Sequence, residues 1–413
     1  MSRGRRVAVT GIGVISPLGN SAAEIYQNAY KGHSGIKLLD TPFMHRLSAP
    51  LAACAKFNGA DYFAPPKLRM MDRVSQFALI AANQAFSNAN CDLKKIDRSR
   101  TGVFVGTGMG GSQTNDEGYK ILYGDDSNRI KPFTVLMGMH NAPAAWISNE
   151  HDITGPTLSY STACSSSTVA IGEAWLRVAS GNLDIAIAGG AEAPLSLGSL
   201  KAWEALQTLA SIDTNKPSTS CKPFSKNRSG MVLGEGAAML VLEPWESAMA
   251  RGMPIHGEIL GYGLSTDANH ITRPTVEGQA ATIRAALMSA SLYPSAIDAI
   301  NAHGTGTLSN DLVETNAIKA IFGLGAYKIP ITATKALHGH LLGAAGALEC
   351  VLSLLAMQHS VALPTMHLSM PDPECDLDYV PNVARDNVVI RTMLTNSFAF
   401  GGTNAVLALR ATS

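Results

Sequence analysis

The sequence predicts an α/β protein made of two copies of one α/β unit, and three observations carry that expectation. Short buried-type strands end again and again in glycine turns, as in Arg6-Val-Ala-Val-Thr-Gly11-Ile-Gly13 and Gly102-Val-Phe-Val-Gly106. Between them lie helix patterns such as Val74, Phe77, Ala78, Ala81, Ala82 and Ala85, spaced for one apolar face. The strand–turn designs of the first part then return, in the same order, in the second.

Taken in order, the first strand covers residues 6–10 and turns at Gly11-Ile-Gly13; this GxG lacks the third glycine of a dinucleotide fingerprint. A helix follows from Val74, and a strand at 102–106 opens onto Thr107-Gly108-Met109-Gly110-Gly111. Residues 112–150 are weakly periodic and read as an insertion outside the core. Leu158-Ser-Tyr-Ser-Thr-Ala-Cys164 is a β-favouring run that passes at once into a helix pattern, and Asp184-Ile-Ala-Ile-Ala-Gly189-Gly190 is a second buried strand. The echo begins at Gly261-Tyr-Gly263, 250 positions after Gly11. Ala299-Ile-Asn-Ala-His303-Gly-Thr-Gly echoes 102–108, and Pro330-Ile-Thr-Ala-Thr-Lys335 with a helix pattern over 339–350 echoes the Cys164 passage. Asn396-Ser-Phe-Ala-Phe400-Gly-Gly echoes 184–190. The halves, roughly 1–255 and 256–413, are each expected to hold their own sheet and helices and to face one another, with the corners at His303 and His340 opposite Cys164.

Composition narrows the function. The chain has 413 residues, with 32 Lys+Arg against 32 Asp+Glu, a balance that argues against a general nucleic-acid or membrane-surface binder. With 46% hydrophobic and 15% charged residues and 38 glycines, it suits a compact enzyme interior. Six cysteines without CxxC spacing support neither a disulfide framework nor a zinc site. No apolar signal region follows Met1-Ser-Arg-Gly-Arg-Arg and no window suits a bilayer, so a cytoplasmic location is expected.

Cys164 is placed at the start of a helix, where unpaired backbone N–H groups favour thiolate. The residues alone leave two readings open, an activated nucleophile or an inert buried thiol. Of eleven histidines, His303 and His340 sit in glycine-lined corners, either as working imidazoles or as structural ones. His338 would face another way, and a histidine metal site lacks carboxylate or thiol partners at ligand spacing. A nucleophilic sulfur with two imidazoles suits acyl transfer at thioesters and stabilisation of an enolate.

Over essentially its whole length, the chain resembles a β-ketoacyl-[acyl-carrier-protein] synthase of the elongating, synthase II-like type, one of the thiolase-like condensing enzymes. The motifs are Ser161-Thr-Ala-Cys164, Pro223-Phe224 with Arg228, Gly234-Glu-Gly236-Ala, Asn301-Ala-His303-Gly-Thr-Gly-Thr, Thr334-Lys335, Gly339-His340-Leu-Leu-Gly-Ala-Ala-Gly, Pro371-Asp-Pro-Glu-Cys-Asp-Leu-Asp-Tyr, and Asn396-Ser-Phe with Phe400-Gly-Gly-Thr-Asn. The resemblance implies a thiolase fold, layered α-β-α-β-α, and a decarboxylative Claisen condensation with malonyl-acyl-carrier protein in fatty-acid or type II polyketide-like elongation. It implies Cys164 as acyl acceptor, His303 and His340 as enolate stabilisers and Lys335 as organiser of their charge. Cys164 and Phe400 would supply the oxyanion hole, with Phe400 also the gate. Thr305 and Thr307 would hold the phosphopantetheine arm that delivers substrate, no cofactor being bound for catalysis. Met109 and Leu200 would shape the acyl channel. Lys67, Arg69, Arg129 and Lys131 match a docking face for acidic carrier proteins. Asn301, Glu349, Asn396 and Ser397 match positions holding a structural monovalent cation in some relatives. A homodimer is implied, or a heterodimer with a chain-length factor.

Some residues depart from the family pattern. Ser165-Ser-Ser-Thr168 is closer to polyketide ketosynthases, Ser225 replaces a common Asp, and Leu200 and Leu209 stand where fatty-acid enzymes often carry Phe and a basic residue. Ala399 precedes the gate in place of glycine and is expected to restrict it. Two other functions are set against condensation. A non-catalytic chain-length factor typically lacks the nucleophile, and a thiolase uses a second cysteine that 396–402 does not contain.

Overall fold

The computed structural model describes residues 4–91 and 96–412. Ten strands form its main sheet: β1 (Val7–Ile15), β2 (Thr101–Gly106), β3 (Thr157–Tyr160), β4 (Ile185–Glu192), β5 (Gly236–Pro244), β6 (Gly257–Thr266), β7 (Ala299–Asn301), β8 (Ile331–Thr332), β9 (Thr392–Phe398) and β10 (Thr403–Arg410). Their spatial order is β8-β7-β9-β10-β6-β1-β5-β4-β2-β3. Counted outward from the centre, each half reads alike: β1-β5-β4-β2-β3 on one side and β6-β10-β9-β7-β8 on the other. Adding five to a strand number moves from one half to its equivalent in the other, which is the duplication the sequence echoes predict.

The halves do not keep separate sheets. β1 and β6 pair antiparallel through Val7↔Ile259, Ala8↔Glu258 and Val9↔Gly257, and Arg6 forms an ion pair with Glu258 at 2.8 Å across this seam. A first strand left at an edge would expose a row of unpaired N–H and C=O groups, and the partner half satisfies them.

Six helices build the layers: α1 (Arg73–Asn88), α2 (Ala142–Glu150), α3 (Ser166–Ala179), α4 (Val276–Ala290), α5 (Leu308–Phe322) and α6 (Ala345–Gln358). The apolar face anticipated from Val74 is buried in α1 against β1, β5 and β4. α3 and α6 lie between the two half-sheets: α3 touches β4 and β2 on one side and β6 and β10 on the other, while α6 touches β9, β5 and β4. Such helices must be apolar all round, and every residue of α6 from Ala345 to Met357 is buried. α4 covers β6 and β10 and packs against α5, whose Glu314 bonds to Asn396 of β9, which completes five layers. Residues 112–150 do not stand wholly outside the core, because α2 packs Ala144 and Ile147 beneath α1. The second-half helix begins at Ala345, later than expected, since 339–344 form the turn that carries His340.

Candidate active site

Cys164 lies on the single turn Ala163–Ser165 between β3 and α3. Ala163 holds φ +52°, a strained value for a residue with a Cβ, and this bend turns the sulfur toward the other half. The chain can pack so tightly there because two neighbours are glycines. A Cβ on Gly106 would meet the Ser166 backbone at 2.3 Å, and one on Gly346 would meet Thr168 Oγ1 at 1.9 Å.

His303 follows β7, and its loop is held by Glu314 of α5, which accepts the N–H groups of His303 (2.8 Å) and Gly304 (2.9 Å). His340 is fixed through its backbone, donating to Val232 O at 2.7 Å and accepting from Gly234 N–H at 2.9 Å. That contact gives the Gly234-Glu-Gly236 motif its purpose. Arg228 secures the next turn by donating to the carbonyls of Thr307 and Leu308, both at 3.1 Å.

The three residues predicted to face one another do so. One ligand-type atom from each of Cys164, His303 and His340 lies within 4.8 Å of the other two, and all three side chains are buried. The imidazole planes stand at 82° with centroids 5.4 Å apart. Their tautomers follow from their neighbours. Leu342 N–H donates to His340 Nδ1 at 3.1 Å, and Lys335 Nζ, which can only donate, approaches His303 Nδ1 at 3.2 Å. Each ring therefore carries its proton on Nε2, and that atom of His340 is buried with no hydrogen-bond partner. Burial, then Lys335, holds both imidazoles well below their ordinary value, so they are neutral at pH 7. A thiol does stand beside the histidines, the partner the sequence lacked for a metal. The donors on both Nδ1 atoms oppose it, because a metal at Nε2 needs that nitrogen deprotonated.

Lys335 is fully buried, donates to His303 O at 2.7 Å and is ion-paired with Glu349. The thiolate expected at the helix start is not the resting form. Burial pushes the Cys164 thiol up to about 11, against the opposite pull of Lys335 and of the Phe400 N–H that donates to the sulfur. A buried site withholds the water on which a helix N-terminus relies to stabilise charge.

The cleft in front of the triad has a volume near 100 Å³, and Cys164, His303, His340, Thr305, Thr307 and Phe400 line it, with 270–274 at its mouth. Thr305 Oγ1 and Thr307 Oγ1 are 2.9 Å apart. On the other side of Cys164, Leu200, Leu195 and Leu342 form an apolar cluster that Met109, Leu209 and Ala399 join. Ala399 has no left-handed φ, so its methyl group fits without backbone strain. Of the four basic residues, Lys131 is ion-paired with Glu117 at 3.2 Å. Arg69 and Lys131 line one surface cleft, Lys67 is ion-paired with Glu150, and Arg129 is exposed outside that cleft.

Among the cation candidates, Asn301 Oδ1, Glu349 Oε2 and Asn396 Oδ1 are buried without hydrogen-bond partners, whereas Ser397 Oγ is committed to Thr168 at 2.7 Å. Sequence reasoning missed Glu314, and it missed Glu192. The latter gathers Gly108 N–H (2.6 Å), Met109 N–H (3.0 Å), Gly343 N–H (2.9 Å) and the Thr107 hydroxyl (3.1 Å). Neither residue lies in a motif that marks it.

Comparison with known proteins points the same way. The models for the N-terminal and C-terminal domains of β-ketoacyl synthases match residues 4–248 and 256–369. Nodulation protein E of Rhizobium meliloti (strain 1021) is 42% identical over 406 residues, 98% of this chain and 99% of that protein. The 3-oxoacyl-[acyl-carrier-protein] synthase 2 of Staphylococcus aureus (strain COL) is 40% identical over 413 residues, 99% of each. Among solved structures, a β-ketoacyl synthase from Burkholderia phymatum STM815 superposes with a TM-score of 0.92 at 33% identity, covering 99% of this chain and 100% of that one. A type II polyketide ketosynthase, solved with its acyl-carrier protein and bound to the hexaketide, gives the same TM-score, identity and coverage. The ishigamide ketosynthase/chain length factor gives 0.92 at 34% identity, again covering 99% and 100%.

Proposed function

The chain belongs to the β-ketoacyl synthase family, and from that premise we propose how its own residues perform the condensation. It joins a Cys-bound acyl chain to malonyl-acyl-carrier protein and yields 3-oxoacyl-acyl-carrier protein and CO2, in elongation of the fatty-acid or type II polyketide kind. The observation that carries the assignment of roles is the meeting of Cys164, His303 and His340 within 4.8 Å, with both imidazoles held as Nε2–H donors.

In the first half-reaction the Cys164 sulfur attacks the acyl thioester. A carbon–sulfur bond forms to Cys164, the bond to the pantetheine sulfur breaks, and the thiol proton leaves on that sulfur. Lys335 and the Phe400 N–H stabilise the sulfur as it gives up its proton. In the second, malonyl thioester loses CO2 and its electron pair moves into the carbonyl, giving an enolate whose oxygen accepts from Nε2–H of His303 and His340. The enolate carbon then attacks the Cys164 thioester. The tetrahedral oxyanion rests on the backbone N–H groups of Cys164 and Phe400 and collapses with loss of the Cys164 sulfur. Thr305 and Thr307 hold the pantetheine amides in the cleft.

Residues 1–255 thus supply the nucleophile and 256–413 the histidines. Arg69 and Lys131 share one cleft and are the basic groups that meet an acidic carrier protein, whose carboxylates would take the place of Glu117 at Lys131. The second subunit is another copy of this chain or a chain-length factor, as the ketosynthase/chain-length-factor relative supports. A non-catalytic role of that latter kind is disfavoured by the assembled triad. Asn301, Glu349 and Asn396 fit a hard monovalent cation through their orphaned oxygens, and its charge would brace the end of the strand that leads to Phe400.

Intact-mass analysis after incubation with acyl-carrier protein carrying a medium-length acyl group tests the assignment. The acyl mass is expected on Cys164 and absent from Cys164→Ala, with condensation abolished. Retained condensation in that variant overturns it.

A further inference from the structure

Glu192 ends β4 fully buried and does not line the cleft. Its two oxygens divide four donors between them. Oε1 accepts from the Thr107 hydroxyl (3.1 Å) and Met109 N–H (3.0 Å), and Oε2 accepts from Gly108 N–H (2.6 Å) and Gly343 N–H (2.9 Å). Burial pushes the carboxyl up to about 7, and these donors pull it back toward the charged form. Three of them belong to the turn after β2 in one half, and the fourth belongs to the His340 turn of the other.

The His340 turn is strained. Leu342 holds φ +43°, a region that a bulky side chain enters only when its surroundings impose it. Its N–H donates to His340 Nδ1 at 3.1 Å, and this bond keeps the ring proton on Nε2. The next N–H along the chain, that of Gly343, is the one Glu192 accepts. The two turns also lie in direct contact, since a Cβ on Gly343 would meet Gly108 N at 2.3 Å and Glu192 Oε2 at 2.7 Å. A run of bonds thus leads from the carboxylate through Gly343 and Leu342 to the imidazole. The main chain of His340 is fixed separately by Val232 and Gly234, so what this run controls is the ring.

We propose that Glu192 is a positioning residue that aims the Nε2–H of His340 at the enolate oxygen, by holding Leu342 in its strained conformation. The proposal rests on the reading of His340 as an enolate stabiliser. Without an acceptor at the Oε2 place, Gly343 N–H is orphaned in a buried setting, and Leu342 relaxes toward a negative φ. Its N–H then leaves His340 Nδ1, and the ring is free to turn or to carry its proton on Nδ1. The enolate formed by loss of CO2 from malonyl thioester is then short of one of its two donors. Attack of Cys164 on the acyl thioester uses neither imidazole and is untouched.

The test uses the full chain and follows the two half-reactions separately. Acylation of Cys164 by a butyryl-carrier protein is timed by intact mass, and condensation of the acylated enzyme with malonyl-acyl-carrier protein by its 3-oxoacyl product. Glu192→Leu keeps the bulk and removes both acceptors. Its condensation is expected to fall about 10- to 100-fold, the cost of misplacing a catalytic group by up to an ångström, with acylation within about twofold of wild type. Glu192→Gln can keep an oxygen at the Oε2 place, with its NH2 donating to Thr107 Oγ1 and only Met109 N–H left without an acceptor. It is expected to restore condensation to within about threefold of wild type. If Glu192→Leu does not fold, Gly343→Ala takes its place: the added Cβ drives the two turns apart with the carboxylate intact, and the same split is expected. Equal loss in both half-reactions, undiminished condensation, or Glu192→Gln as slow as Glu192→Leu overturns the proposal. His340→Ala separates it from the reading beneath: full condensation in that variant sinks the role of His340, whereas slow condensation there with no split in Glu192→Leu sinks only that of Glu192.

Discussion

Lys335 is where one side chain sets the chemistry of three others. Its Nζ lies against His303 Nδ1, donates to His303 O and is ion-paired with Glu349, all in a fully buried place. It helps keep the imidazoles neutral and pulls the Cys164 thiol downward, while burial pushes that thiol up to about 11. Alkylation of Cys164 by iodoacetamide is therefore expected to rise about tenfold per pH unit between pH 7 and 9, as the small thiolate fraction grows. Lys335→Met is expected to slow it at every pH in that range. A flat profile, followed by peptide mass mapping, would mean a resting thiolate. The sequence marked Cys164, His303 and His340 by position and glycine setting, but Lys335 entered only through the family resemblance. Its partner Glu349 stands fourteen residues on, and only the fold brings the two carboxylate and ammonium groups together. The thiol was misjudged for a related reason: helix position can be read from a chain, whereas loss of water at the sulfur depends on elements from both halves.

Elements were legible where a strand ends in its own turn, as β2, β3 and β4 do, whereas β1 and β6 run on through Gly11-Ile-Gly13 and Gly261-Tyr-Gly263, which are not turns. The four echoes translate into strands related by a step of five, because a strand, a glycine corner and an apolar helix are all local patterns. The β1–β6 seam was not legible, since an edge strand carries no mark of the partner that covers it. Glu192 at the end of β4 was missed likewise: it binds the Gly108–Met109 turn and the Gly343 turn, 84 and 151 residues away. This junction brings Met109 to the apolar cluster around Cys164, which Leu200 joins from a separate element and which is the proposed acyl pocket. Met109→Ala and Leu200→Ala are each expected to lengthen the accepted acyl group by a few carbons, as a buried Leu or Met side chain removed from a wall leaves a cavity of that order. The check is a kcat/KM profile across acyl-carrier primers of increasing length, and an unchanged optimum in both variants would place the pocket elsewhere.

Across the whole molecule, layering buries ionisable groups that a smaller core would leave wet, and this fixes how stability responds to acid. Burial holds His303 and His340 well below their ordinary value and His338 down to about 3, and it lowers His151, His256 and His367 in the same direction. In the unfolded chain these rings take up protons near pH 6.5. Below that pH, and above their folded values, the unfolded state binds protons that the folded state refuses, so stability is lost as pH falls. Glu192 and Glu349 act oppositely. Their folded values of about 7 exceed the unfolded ones, so their contribution falls as pH rises from the usual carboxylate range to 7. Between pH 6.5 and 5 the six lowered histidines outnumber the five carboxyls that burial raises, these two with Asp72, Asp311 and Glu314, so the balance is a loss of stability. The melting temperature is therefore expected to fall between pH 6.5 and pH 5. Above 6.5 the histidines no longer differ between the two states while the glutamates still do, so the curve flattens or dips toward pH 7.5. Differential scanning calorimetry across this range decides the matter. A melting temperature that holds steady or climbs on acidification would mean that the imidazoles are charged in the folded protein and could not serve as the neutral donors the condensation requires.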